Sequence, residues 1–130
     1  MRSVVICGSR RFKPEIRKLE ASLKKAGVTV WAPYLHSPDP NDWVKLQEQQ
    51  QKFILLGLTL DHFYKIRMAD VVYVYNKGGY SGVSTSMEIG CAAALGKPIY
   101  SLEEDKEEGC RNVLFRAQLK TPKQLLAYLK

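Results

Sequence analysis

Ser3-Val4-Val5-Ile6-Cys7-Gly8-Ser9 is the stretch whose reading decides the fold. Its run of apolar residues, closed by a Gly-Ser turn, has the length and composition of a short strand buried on both faces. Pro14 then suits the first turn of a helix, where a missing N–H costs nothing. Ile16, Leu19, Leu23 and Ala26 follow at helical spacing, and Gly27 ends the run. Val28 to Trp31 reads as a second strand. Strand, helix and strand with glycine at both turns make a β-α-β unit, whose right-handed crossover implies a parallel sheet covered on both faces.

Working outward, Pro33 to Pro40 reads as a loop, punctuated by Pro38-Asp39-Pro40. Asn41 or Asp42 is placed to cap a helix running through Leu46 towards Leu55, which Gly57 should break. Its glutamine-rich centre, Gln47 to Gln51, has little apolar periodicity and should project or pack against a partner. Thr59 is the expected cap of the next helix, with Phe63, Ile66 and Met68-Ala69 on its buried side. Val71 to Tyr75 is strand-like in its β-branched and aromatic content. A helix from about Thr85 to Leu95 should stop at Gly96, and Pro98 to Leu102 reads as another strand. Glu103 to Glu108 reads as an acidic surface loop, Val113-Leu114-Phe115 as a short last strand, and Thr121-Pro122 as the start of a closing helix. The expected fold is single-domain α/β over residues 1–130: three layers, doubly wound, Rossmann-like or flavodoxin-like, with a mostly parallel sheet of four to five strands.

Composition narrows the class. The chain has 130 residues, enough for one core, and no apolar run of the ~18 residues that span a bilayer. Met1-Arg2-Ser3 leads straight into the first strand without a signal-peptide pattern, which points to the cytoplasm. Cys7, Cys91 and Cys110 form no Cys-x-x-Cys pair, and with only His36 and His62 beside them neither a disulfide framework nor a metal centre is expected. Cys91, among alanines, reads as a small core residue. The net charge of +7 invites a nucleic-acid partner. Yet the basic residues are dispersed and no groove-reading motif accompanies them, so neither nucleic acid nor membrane is expected as a partner.

In open parallel sheets, ligands bind beyond the carboxyl ends of the strands. Two loops there carry suitable chemistry. In Cys7 to Phe12, Gly8 allows close backbone approach, Ser9 supplies a hydroxyl, and Arg10 or Arg11 can pair with phosphate. In Gly78 to Glu88, the glycines (Gly79 and Gly82 among them) and the hydroxyls of Ser84, Thr85 and Ser86 precede a helix start, a ready anion cradle. The Gly-Lys-Ser/Thr of a Walker loop is missing. Glu88 admits two readings. It can close a capping box with Thr85, or it can serve the site, and spacing does not choose between them.

The run Gly82-Val83-Ser84-Thr85-Ser86-Met87-Glu88-Ile89-Gly90, with its small-residue helix and Gly96-Lys97-Pro98, resembles the nucleoside 2-deoxyribosyltransferase superfamily, which includes the deoxynucleoside monophosphate N-glycosidases. Ile66 to Val72 is similar to its Ile-x-x-Ala-Asp segment, and Cys7-Gly8-Ser9 to its amino-terminal turn. The resemblance implies that Glu88 is a nucleophile forming a glycosyl ester, and that Ser9, Gly8 and Ser84 hold the 5′ end of a nucleoside or its monophosphate. It matches Asp61 to a carboxylate that contacts the sugar or assists the leaving base. It implies no cofactor, and a homodimer or higher oligomer. Catalytic members carry a tyrosine two residues before the cysteine; here Val5 stands there, leaving Tyr34, Tyr73 or Tyr75 to replace it. The expected activity is N-glycosidic cleavage or transfer on a nucleoside or nucleoside monophosphate. The alternative is a nucleotide sensor with the same pocket and no turnover.

Overall fold

Four parallel strands form one sheet in the order β2-β1-β3-β4. The computed structural model of the chain describes residues 1–34 and 39–130. β1 (Val4–Gly8) and β3 (Val71–Tyr75) are the central strands, paired from Val4 against Val71 to Gly8 against Tyr75. β2 (Val30–Trp31) flanks β1, shorter than its sequence suggests, and β4 (Ile99–Ser101) flanks β3.

Alternation along the central strands splits the core into two layers. Val4, Ile6, Val71 and Tyr73 pack with Ile16, Leu19 and Leu23 of α1 (Lys13–Lys25) and with Leu125 and Leu129 of α6 (Pro122–Leu129). Val5, Cys7, Val72 and Val74 face the other way, onto Ile66 of α3 (Glu48–Met68) and Ile89 and Ala92 of α4 (Val83–Ala94). This is the expected three-layer α/β arrangement. α1 ends at Gly27, whose φ of 86° is glycine's territory. Thr121 and Gln124 close a reciprocal capping box at the start of α6.

Three expectations need correction. The helix around the glutamines does not break at Gly57, nor does a new one begin at Thr59. α2 (Pro40–Lys45) is a short piece capped by Asp39, and α3 then runs unbroken for 21 residues. Gly57 sits inside it with open space around its Cα, at a cost of about 1 kcal/mol against alanine. Thr59 turns its hydroxyl back to the Leu55 carbonyl instead of capping. Second, Val113-Leu114-Phe115 is no strand: it follows the short helix α5 (Gly109–Asn112), and Val113 is exposed. The edge of β4 is lined instead by residues 116–119, where the Arg116 N–H donates to the Ile99 carbonyl and the Leu119 N–H to Ser101. Third, the acidic loop is not all surface. Asp105 is buried, accepting from the amides of Glu107 and Glu108 and from Arg111. The Pro38 punctuation expected in the loop after β2 lies outside the described residues.

Two family-like segments hold the scaffold. The Asp70 carboxylate accepts from the Ser3 amide and hydroxyl, tying the start of β1 to that of β3. Lys97 Nζ donates to the Arg67 and Ala69 carbonyls at the end of α3, where a cation also complements the helix dipole.

Candidate active site

At the carboxyl ends of β1 and β3, where the strand order changes direction, a cleft of about 490 Å³ opens between α3 and the start of α4. That volume suits a small organic ligand. One wall is the turn after β1, with Gly8, Ser9 and Arg10. The opposite wall is Gly82, Val83, Ser84 and Thr85, entering α4. Leu55, Leu58, Thr59, His62 and Phe63 of α3 line a third side, and Pro33 and Tyr34 a fourth.

Glu88 reaches this cleft from the second turn of α4. The capping-box reading fails, because the helix begins at Gly82 and Thr85 is already inside it. Freed from that duty, the carboxylate turns towards the sheet. Its Oε2 lies 3.2 Å from His62 Nε2, and the Cys7 thiol beside it pulls its pKa down. Cys7 Sγ in turn lies 3.4 Å from the same nitrogen. Cys7 and His62 are buried, and the Glu88 side chain is 12% exposed, towards the cleft it lines.

Burial governs the charges here. Desolvation raises the Glu88 carboxyl from 4.5 to about 8, against the opposing pull of the Cys7 thiol. Desolvation also lowers His62 from 6.5 to about 4, reinforced by Lys65 and opposed by Asp61. Burial, with Glu88 beside it, pushes the Cys7 thiol well up. At neutral pH the His62–Glu88 contact therefore carries no net charge and is not a salt bridge. A carboxyl with a raised pKa in a cleft wall has the chemistry of a catalytic group, as nucleophile once ionised or as acid while protonated.

The anion-suited residues separate into two groups. Ser9, Arg10, Gly82, Ser84 and Thr85 line the cleft, together with Gly8. Gly8 has a structural reason as well: a Cβ there would meet Ile16 Cδ1 at 2.8 Å. Ser9 Oγ already accepts from the Arg11 amide, leaving its proton free to donate. The others are outside the lining. The Arg11 guanidinium stacks over the Tyr80 ring, 3.7 Å from its centroid. Gly78 and Gly79 take positive φ and bind the segment after β4: the Gly78 amide donates to the Glu103 carboxylate, and a Cβ on Gly79 would lie 2.9 Å from the Glu104 carbonyl. Ser86 donates to the Gly82 carbonyl and accepts from Arg111. Asp61 is on α3 but half exposed, paired with Lys65 at 2.8 Å and away from the lining.

Of the three tyrosines considered for the Val5 position, Tyr34 lines the cleft. Tyr73 points to the other face of the sheet, bonding the Leu119 carbonyl, and Tyr75 packs there too, against Phe12. The sequence reading missed His62 and the Asp105–Arg111 pair. His62 had a signal: it falls at helical spacing with Ile66 on a buried stripe, where a polar side chain needs a partner. The Asp105–Arg111 pair, whose Arg111 reaches Ser86 at 3.1 Å, left none in the local pattern.

Among solved structures, a 2-deoxyribosyltransferase from the psychrotolerant bacterium Bacillus psychrosaccharolyticus is similar over 95% of this chain and 89% of its own, with a TM-score of 0.59 and 17% identity. A conserved protein from Enterococcus faecalis V583 is similar over 99% of this chain and 97% of its own, with a TM-score of 0.59 and 14% identity. At such identities the likeness is one of fold. By sequence alone, no curated protein matches the chain. The family profile described as nucleoside 2-deoxyribosyltransferase, however, matches residues 5–120, a span that takes in both walls of the cleft, His62 and Glu88. The chain belongs to the nucleoside 2-deoxyribosyltransferase family.

Proposed function

We propose that this protein cleaves the N-glycosidic bond of a nucleoside 5′-monophosphate, or of the nucleoside itself, through a covalent ester on Glu88. Family membership supports glycosyl transfer on nucleosides. The observation that carries the finer reading is the Glu88 carboxylate in the cleft wall, opposite the hydroxyl- and arginine-bearing turn after β1. A Glu88 oxygen attacks the anomeric carbon as the C–N bond breaks, its electrons leaving with the base, which takes up a proton. Water then opens the ester and regenerates the carboxylate, or a second base accepts the sugar. Ser9, Arg10, Ser84 and Thr85, with the first amides of α4, bind the 5′ end. Arg10 and a helix N-terminus favour a phosphate there over a bare hydroxymethyl. Arg11 and Ser86 support these walls through Tyr80 and Arg111.

His62, with Nε2 3.2 Å from Glu88 Oε2, is the residue placed to orient the nucleophile where the family tyrosine is replaced by Val5. It is the nearer partner for Glu88, whereas Asp61 faces Lys65. We further infer a dimer in the cytoplasm. Phe53, Leu56, Leu60 and Tyr64 form an exposed stripe at helical spacing along α3, a helix buried on the sheet only through His62 and Ile66 in its last two turns. A second copy laid on that stripe is its best-matched cover.

The test is chromatographic screening of nucleosides and their 5′-monophosphates for base release. Release should be faster for monophosphates at equal concentration, and Arg10→Ala should erase that preference. Binding without turnover across the panel would replace the enzyme with a nucleotide sensor, the reading that Val5 favours.

A further inference from the structure

The group around Glu88 has a second chemical identity. β1, α3 and α4 each contribute one donor, Cys7 Sγ, His62 Nε2 and a Glu88 oxygen, all within 4.8 Å of one another. Glu88 Oε2 is buried and accepts no hydrogen bond from any described residue, although His62 Nε2 is 3.2 Å away. His62 Nδ1 has no partner among the described residues either, so nothing commits the ring proton to one nitrogen. A buried carboxylate oxygen without a partner calls for an explanation, and an ion is one of the few available.

We propose that Cys7, His62 and Glu88 bind a single Zn²⁺. A three-ligand set of thiolate, imidazole and carboxylate is the donor chemistry of zinc, not of magnesium or calcium. Two of the three separations match such a site: with metal–sulfur and metal–nitrogen or –oxygen bonds of about 2.3 and 2.0 Å, 3.4 Å (Sγ to Nε2) and 3.2 Å (Nε2 to Oε2) each subtend about 105°, and the third, Sγ to the carboxylate, lies within 4.8 Å and closes onto the ion as it binds. On binding, the thiol and the carboxyl each release a proton to solvent, and the imidazole donates a neutral lone pair. The resulting charge of −2 on the ligands cancels that of the ion inside a largely apolar wall. Cys7 lies behind the cleft, while His62 and Glu88 line it. The fourth coordination position therefore opens into the cleft, to water or a ligand atom. Sequence spacing gave no warning of this site, because its three ligands come from three separate elements.

Metal binding does not depend on how Glu88 acts in catalysis. If Glu88 is the nucleophile, as proposed above, the ion occupies its carboxylate and inhibits, and a chelator restores turnover.

The experiment titrates chelator-treated protein with Co²⁺ and then Zn²⁺, following absorption. The expected result is one Co²⁺ per chain with a sulfur-to-metal charge-transfer band in the near ultraviolet, bleached by one equivalent of Zn²⁺. Cys7→Ser should remove the band and weaken binding about tenfold or more, while Cys110→Ser, at an exposed thiol, changes neither. Glu88→Gln should weaken binding and keep the band. Absence of stoichiometric binding overturns the proposal, as does a band that survives Cys7→Ser or follows Cys110. Should Cys7→Ser fail to fold by circular dichroism, unchanged affinity in Glu88→Gln overturns it. Turnover is assayed separately in chelator. Its absence there, with metal binding intact, counts against the nucleophile and leaves the zinc site standing.

Discussion

A glutamate with a raised pKa is ambiguous, and its pH dependence resolves the ambiguity. Glu88 ionises at about 8 in the metal-free fold. As nucleophile it must be ionised, so kcat/KM should climb about tenfold per pH unit below that value and level above it. As general acid it must be protonated, and activity would instead fall above pH 8. Stability carries a second signature. Glu88 has a raised folded pKa, so its contribution is complete below 4.5 and is lost as pH rises through about 8. His62 has a lowered one, so its contribution is complete above 6.5 and is lost as pH falls through about 4. Of these two groups, only Glu88 still titrates above pH 6.5. The melting temperature of chelated wild type should therefore fall between pH 6.5 and 8, and Glu88→Gln should flatten that slope. The residues of this site were unevenly legible. The loops pointed to Ser9 and Ser84, and only the family resemblance to Glu88; the structure removes the capping alternative by starting α4 at Gly82. His62 was legible only as a polar residue on a buried stripe, and Cys7 only as part of its turn; that the two meet at Glu88 depends on three separate elements packing together.

At the scale of elements, local punctuation worked where it agreed with packing. Gly27 and Thr121 ended or began helices as expected, and the alternation in β1 and β3 gave the sheet its two buried faces. It failed in α3, where Gly57 and Thr59 read as a boundary. A single glycine costs only about 1 kcal/mol, and the packing of Ile66 and His62 on the sheet side offsets it. It failed again after α5, where β-branched and aromatic residues resembled a strand although only Phe115 among them is buried. Lys97 shows what a family-like motif can do without chemistry. Lys97→Met should lose both bonds to the end of α3 and lower stability by about 1–2 kcal/mol in urea unfolding, with kcat little changed.

At the scale of the whole molecule, the cleft is bounded on one side by the same helix that presents the exposed apolar stripe. Phe53 is 76% exposed and Leu56 56%. Leu56→Asp should convert a dimer to a monomer in sedimentation experiments, and a wild type that is monomeric at high concentration would remove the stripe's explanation. Glu88→Gln, in contrast, should leave assembly and nucleotide binding intact while cutting base release by about a thousandfold or more. The central claim is that the sugar becomes bonded to Glu88. The most direct measurement is the intact mass of chelated protein, acid-quenched during turnover. The account predicts a wild-type species heavier by one glycosyl unit, localised to the peptide containing Glu88 and absent from Glu88→Gln. Base release by wild type with no such adduct, matched by equal release from Glu88→Gln, would contradict it.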